Sequence, residues 1–123
     1  MPFDELLPPS CPPEDIESGD LQGVYRMLAG AAPTPFDWMS HLRRGKRCPA
    51  DVDPCRWGSL SLQRTLVAAK KLKKLPNFRS ATHVAELDVP SGAGVFKSKK
   101  NHIDFWGDTS NDVGTFVIGV KQI

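Results

Sequence analysis

The stretch Asn101-His102-Ile103-Asp104-Phe105-Trp106-Gly107-Asp108 constrains this chain more than any other segment. Polar and apolar residues alternate along it, which is the period of a half-buried β-strand. Residues two apart on a strand point the same way. His102 and Asp104 therefore stand side by side, while Ile103 and Phe105 turn to a core. A basic loop, Lys97-Ser98-Lys99-Lys100, leads into the strand. The pattern predicts a polar cleft on a small sheet, with His102 and Asp104 as candidate catalytic residues.

The rest of the chain supplies elements that can build such a sheet. Leu21 to Leu28 reads as a first strand with Val24, Arg26 and Leu28 on one face. An arginine among apolar residues there is either a snorkelling edge residue or a buried ligand-binding group. Thr34-Pro35-Phe36-Asp37 predicts a short capped helix. Ser59 or Ser61 is expected to cap a longer one, in which Leu62, Leu66, Ala69 and Leu72 recur at helical spacing until Pro76 stops it. Lys70, Lys71, Lys73 and Lys74 suit its C-terminal end. Strands follow over Thr82–Val89, Gly94–Lys97, Asn101–Trp106 and Thr115–Lys121, with glycine-rich and Asx-rich turns between. This order predicts an α+β fold, a small and mainly antiparallel sheet with two helices.

With 123 residues there is room for one domain and a modest core. Residues 1–19 carry Pro2, Pro8, Pro9, Pro12 and Pro13 among acids, a density of proline that denies both helix and ladder hydrogen bonds. That predicts a flexible tail, with the folded domain over residues 20–123. Three cysteines fit free thiols in a reducing compartment. No tight Cys-x-x-Cys pair is present, so no metal site is expected from His41, Cys48 and Cys55. The run Arg43, Arg44, Lys46, Arg47 reads as solvated surface. A net charge of +2 announces no polyanionic partner, although nucleic acid is not excluded by it. No apolar run approaches a membrane span, and Met1-Pro2-Phe3-Asp4-Glu5 lacks the make-up of a signal peptide. A cytoplasmic protein is expected, or an effector exported by a signal-independent machine.

Three segments in order, Val24-Tyr25-Arg26, Trp57-Gly58-Ser59-Leu60-Ser61 and the closing strands, resemble the arginine-serine-glutamate branch of the ADP-ribosyltransferase fold. The resemblance implies NAD as the bound substrate, with Arg26 on a phosphate and the Trp57–Ser59 element bracing the nicotinamide pocket. It also implies a toxin or effector acting on a protein or nucleotide target, with a cognate inhibitor. The family's Glu-x-Glu site falls near Asn101-His102-Ile103-Asp104, where no glutamate stands. Asp104 is a methylene shorter, and such charges act only when placed to a fraction of an ångström. The resemblance therefore points either to a catalytically degenerate member that binds NAD or a related nucleotide, or to an unusual NAD-consuming transferase or hydrolase.

A second resemblance joins His102-Ile103-Asp104-Phe105-Trp106 to the Gly-His-Ile-Asp-Leu-Trp strand of type VI secretion amidase effectors, which cut peptidoglycan peptides. It implies Cys55 as thiolate and His102 as its base. Residues alone allow two further readings. One is a metal-independent nuclease using Lys97, Lys99, Lys100 and His102; the other is an interaction protein with no chemistry. For Cys55 itself the surroundings in sequence predict a structural role.

Overall fold

β1 (Leu21–Leu28) sits inside a six-stranded sheet and pairs on both sides. The computed structural model describes residues 1–123. β2 (Leu60–Gln63), β3 (His83–Val89), β4 (Gly94–Lys99), β5 (His102–Gly107) and β6 (Val117–Gln122) complete the sheet. Their spatial order is β4-β5-β2-β1-β3-β6, and every neighbouring pair is antiparallel. Two short α-helices, α1 (Pro54–Trp57) and α2 (Leu66–Leu72), complete a small α+β domain.

Side-chain alternation sorts the sheet into two faces. Leu60, Leu62, Ile103, Phe105, Phe96, Val24, Ala85 and Leu87 form one buried cluster, against which Trp38, Val113 and Phe116 pack. Leu62 and Ile103, register partners on β2 and β5, are fully buried. Burying a side chain of that size contributes roughly 1.5–3 kcal/mol. The second face is covered unevenly. β2 and β3 both run antiparallel to β1 and hence parallel to each other, so α2 makes the crossover between them and packs on β1 and β2. Ala69 of α2 and Val84 of β3 are buried there, outside the core cluster.

Two expected elements moved. The helix expected from Ser59 or Ser61 begins only at Leu66, capped by Thr65, whose hydroxyl accepts from Ala68 N at 3.1 Å. The residues before it form β2, because Leu60 and Leu62 alternate with Ser61 and Gln63 at the strand period. The Thr34 element is a single 3-10 turn over Pro35–Trp38.

The N-terminal segment is not a free tail. Glu17 and Phe96 exchange backbone hydrogen bonds of 2.7 and 3.0 Å, extending the sheet beyond β4. Asp15 pairs with Lys97 at 2.9 Å, Thr109 N donates to Pro2 O at 2.9 Å, and Asp4 and Glu5 both hold Arg43. Cys11 is disulfide-bonded to Cys55, which corrects the expectation of three free thiols and leaves Cys48 alone as a free cysteine. Proline kept this segment out of helix and strand, but side chains and single backbone contacts fasten it as a strap.

Candidate functional site

The expected pairing on β5 is present. His102 and Asp104 share the second face of the sheet, and His102 Nε2 lies 2.9 Å from Asp104 Oδ1. Gln63, directly across on β2, places its Nε2 3.0 Å from His102 Nδ1. A carboxylate can only accept, so Nε2 carries the imidazole proton and Nδ1 accepts from the Gln63 amide. Both ring nitrogens are thereby occupied. Burial pushes the Asp104 carboxyl up, but the hydrogen bond from His102, the charge that ring carries when protonated, and Arg56 beside it hold it below its ordinary value. Arg56 Nε stands 3.5 Å from Asp104 Oδ1. The same register row continues through Gln63 to Tyr25 on β1 and Glu86 on β3, where the phenol meets the carboxylate at 3.5 Å.

Ser59 belongs to this network. Its hydroxyl donates to Arg56 O at 2.7 Å and lies 3.4 Å from Asp104 Oδ1. Arg26 does not. It shares the core face with Val24 and Leu28, the opposite side of the sheet from Ser59. The structure thus separates Arg26 from Ser59, His102 and Asp104, which the transferase resemblance would bring together.

Arg26 has a different setting. β1 and β2 share one register pair, Tyr25↔Gln63, and then part. The Arg26 guanidinium fills the gap, donating from Nη1 to Ser61 O and from Nε to Asp37 O, both at 3.1 Å. Arg44 reaches the neighbouring carbonyl, donating from Nη2 to Phe36 O at 2.9 Å, and lies 4.1 Å over the Phe36 ring. Its Nε is buried and has no hydrogen-bond partner. Nearby, His41 stacks on Trp57 with ring centroids 4.4 Å apart, and the Trp57 indole donates to Lys46 O at 2.9 Å.

This second cluster sets two guanidiniums beside one carboxylate. The adjacent carboxylate, Asp37, accepts on Oδ2 from Thr34 N at 2.7 Å and from its hydroxyl at 3.2 Å, and its charge offsets part of that of Arg26 and Arg44. Burial, with the field of Arg44, lowers the Arg26 guanidinium to about 10 against a weaker pull from Asp37, leaving it charged at neutral pH. Arg44 is lowered by burial. His41 is lowered by burial and then by Lys46, Arg44 and Arg26. Cations crowded in this way lower one another's affinity for protons, and an anion among them would reverse the effect.

The remaining candidates fall into place around these two clusters. Cys55 holds Cys11 in the disulfide, so it carries no thiolate for His102 to activate, and the structural role expected of Cys55 holds in this state. Lys97 is paired with Asp15, while Lys99 faces His102 across β4 and β5. No three His, Cys, Asp or Glu side chains converge as metal ligands do. A cavity of about 160 Å³ opens between Trp38, Met39, Phe105 and Val113, with Asp4 and Arg43 at its rim. Neither His102 nor Asp104 lines it.

Sequence reasoning named Arg26 and Trp57 but missed Arg44 and His41. A basic run looks solvated whatever it packs on, and only the fold brings Arg44 to the carbonyl beside the one that Arg26 uses. No helix is long and apolar enough to cross a membrane. No family model matches this chain, and neither the curated proteins nor the solved structures contain a match to it.

Proposed function

We propose that the protein is a non-catalytic binding domain for a phosphate-bearing ligand of the nucleotide class, NAD or ADP-ribose among them. Arg26 and Arg44 would receive the phosphate, and the His41–Trp57 stack would stand beside the base or sugar. The observation that carries this reading is the buried Arg44 Nε with no acceptor. Leaving such a donor unmade costs about 1–3 kcal/mol, and an anionic oxygen arriving from outside would remove the cost. Binding without turnover is proposed because His102 and Asp104 lie on the other face of the sheet and satisfy each other there. The Cys11–Cys55 bond favours action in an oxidising compartment, as for an exported effector, over residence in a reducing cytoplasm.

Calorimetric titration with ADP-ribose, NAD and pyrophosphate tests the reading. At least one should bind, Arg44→Ala should weaken it tenfold or more, which is about 1.4 kcal/mol, and NAD should be recovered intact. Absence of binding for all three at millimolar concentration, or equal affinity in Arg44→Ala, would overturn it.

A further inference from the structure

The strap and the anion cluster meet at α1. This helix is one turn of four residues with none buried, so its position depends on what holds it from outside. Asp53 caps its start, accepting from Cys55 N at 3.1 Å. Trp106 Nε1 donates to Cys55 O at 3.1 Å, and Arg56 meets Asp104. Ser59 Oγ donates to Arg56 O at 2.7 Å, and the Cys11–Cys55 bond adds a covalent tie to the strap. On its other side α1 positions the ligand-binding loop: Trp57 stacks on His41, Trp57 O accepts from Leu42 N at 3.3 Å, and the indole holds Lys46 O. Arg44 lies between those two anchors in sequence. The strap adds direct contacts to the same region. Asp4 and Glu5 grip Arg43, next to Arg44, and Leu7 packs so closely on Gly58 that a Cβ there would collide with it.

We propose that the Cys11–Cys55 disulfide is a redox latch on the Arg26–Arg44 site, so that oxidised protein binds its phosphate-bearing ligand and reduced protein releases it. The proposal rests on the binding reading above. Both cysteine residues are half-buried, within reach of a small or protein dithiol. The dithiol attacks one sulfur of the bond, and its second thiol resolves the mixed disulfide. Two electrons and two protons pass to Cys11 and Cys55, and the reductant leaves as its own disulfide. The sheet does not depend on this bond for its pairing. Reduction removes the covalent tie between strap and α1 and leaves only the Leu7–Gly58 packing and the Asp4 and Glu5 pairs to Arg43, so that Trp57, His41 and Arg44 lose their fixed common placement. The effect on affinity follows from the fraction of molecules that keep the loop in its competent arrangement.

The test uses the full chain with Cys48→Ser, which removes the third thiol from exchange. ADP-ribose affinity and amide hydrogen exchange are measured on the oxidised protein, on protein reduced with dithiothreitol, and on a Cys11→Ser version. Reduction and Cys11→Ser should each weaken binding at least tenfold. Exchange should rise over residues 1–17 and 40–58, while β1, β3 and β5 stay protected. Equal affinity in both redox states would overturn the latch. So would loss of protection across the whole sheet, which would make the bond a general staple. If oxidised protein binds none of ADP-ribose, NAD and pyrophosphate, the binding reading fails on its own, and the exchange pattern still judges the latch: unchanged exchange over residues 40–58 refutes it.

Discussion

The two faces of the sheet both place polar side chains under cover, and they do so with opposite accounts of their hydrogen bonds. On the His102 face the inventory closes. Imidazole, carboxylate and amide use one another, and Ser59 and Arg56 complete the row. On the Arg26 face it stays open: two guanidiniums bond adjacent carbonyls, the nearby carboxylate makes its hydrogen bonds to Thr34, and one donor has no partner. A closed network holds a fold together, whereas an open one marks where something else is received. On the proposed reading, the residues that look most like chemistry in the sequence are structural, and the binding site would lie among residues that look like loop.

The largest expected effect comes from the apolar side of β5. Ile103→Ala removes a fully buried side chain from the cluster with Leu62 and should cost about 2–5 kcal/mol in urea unfolding. One residue back on the same strand, His102→Ala leaves the Gln63 amide without its ring partner and takes the shortest hydrogen bond from the Asp104 carboxylate, and the expected loss is about 1–3 kcal/mol. Unchanged unfolding of His102→Ala would mean that its network is not structural, and the contrast between the faces would fail.

Acid sharpens the same contrast. The folded Asp104 carboxyl is held below its ordinary value of 3.8, so its contribution to stability is fully present above about pH 4. It is lost as pH falls through the lowered folded value. Acid unfolding of Asp104→Asn should therefore fall less steeply below pH 4 than that of the natural sequence. On the other face the smallest stability effect is expected: Arg44→Ala should leave the unfolding free energy within about 0.5 kcal/mol, because losing the hydrogen bond to Phe36 O and the packing on the Phe36 ring is offset by removing a buried donor that has no partner. A large destabilisation there would make Arg44 a structural residue and remove it from the site.

Legibility in the sequence follows the range of the interactions. The β5 pattern is local and strict, so the alternation by itself puts His102 and Asp104 on a shared face and turns Ile103 and Phe105 inward. β2 is harder to read, since Leu62 belongs equally to the helical series ending at Leu72 and to the alternation with Leu60. Only pairing with β5 decides it. Arg26 offers two readings, and the parting of β1 from β2, a property of neither strand alone, turns its guanidinium inward onto the Ser61 and Asp37 carbonyls. The strap is illegible for a similar reason. Its ties run from Asp4 to Arg43 and from Cys11 to Cys55, across 39 and 44 residues, without any periodic signal. Three cysteines in a sequence do not state which two will meet.

The central claim, that the closed face stabilises and the open face binds, is tested most directly by titrating ADP-ribose into the natural protein, His102→Ala and Arg44→Ala while recording the melting temperature of each. The account predicts a crossed result: His102→Ala melts several degrees lower yet binds within twofold of the natural protein, while Arg44→Ala melts normally and binds at least tenfold more weakly. Binding lost in His102→Ala at full stability, with Arg44→Ala unaffected, would contradict it and return the site to the other face of the sheet.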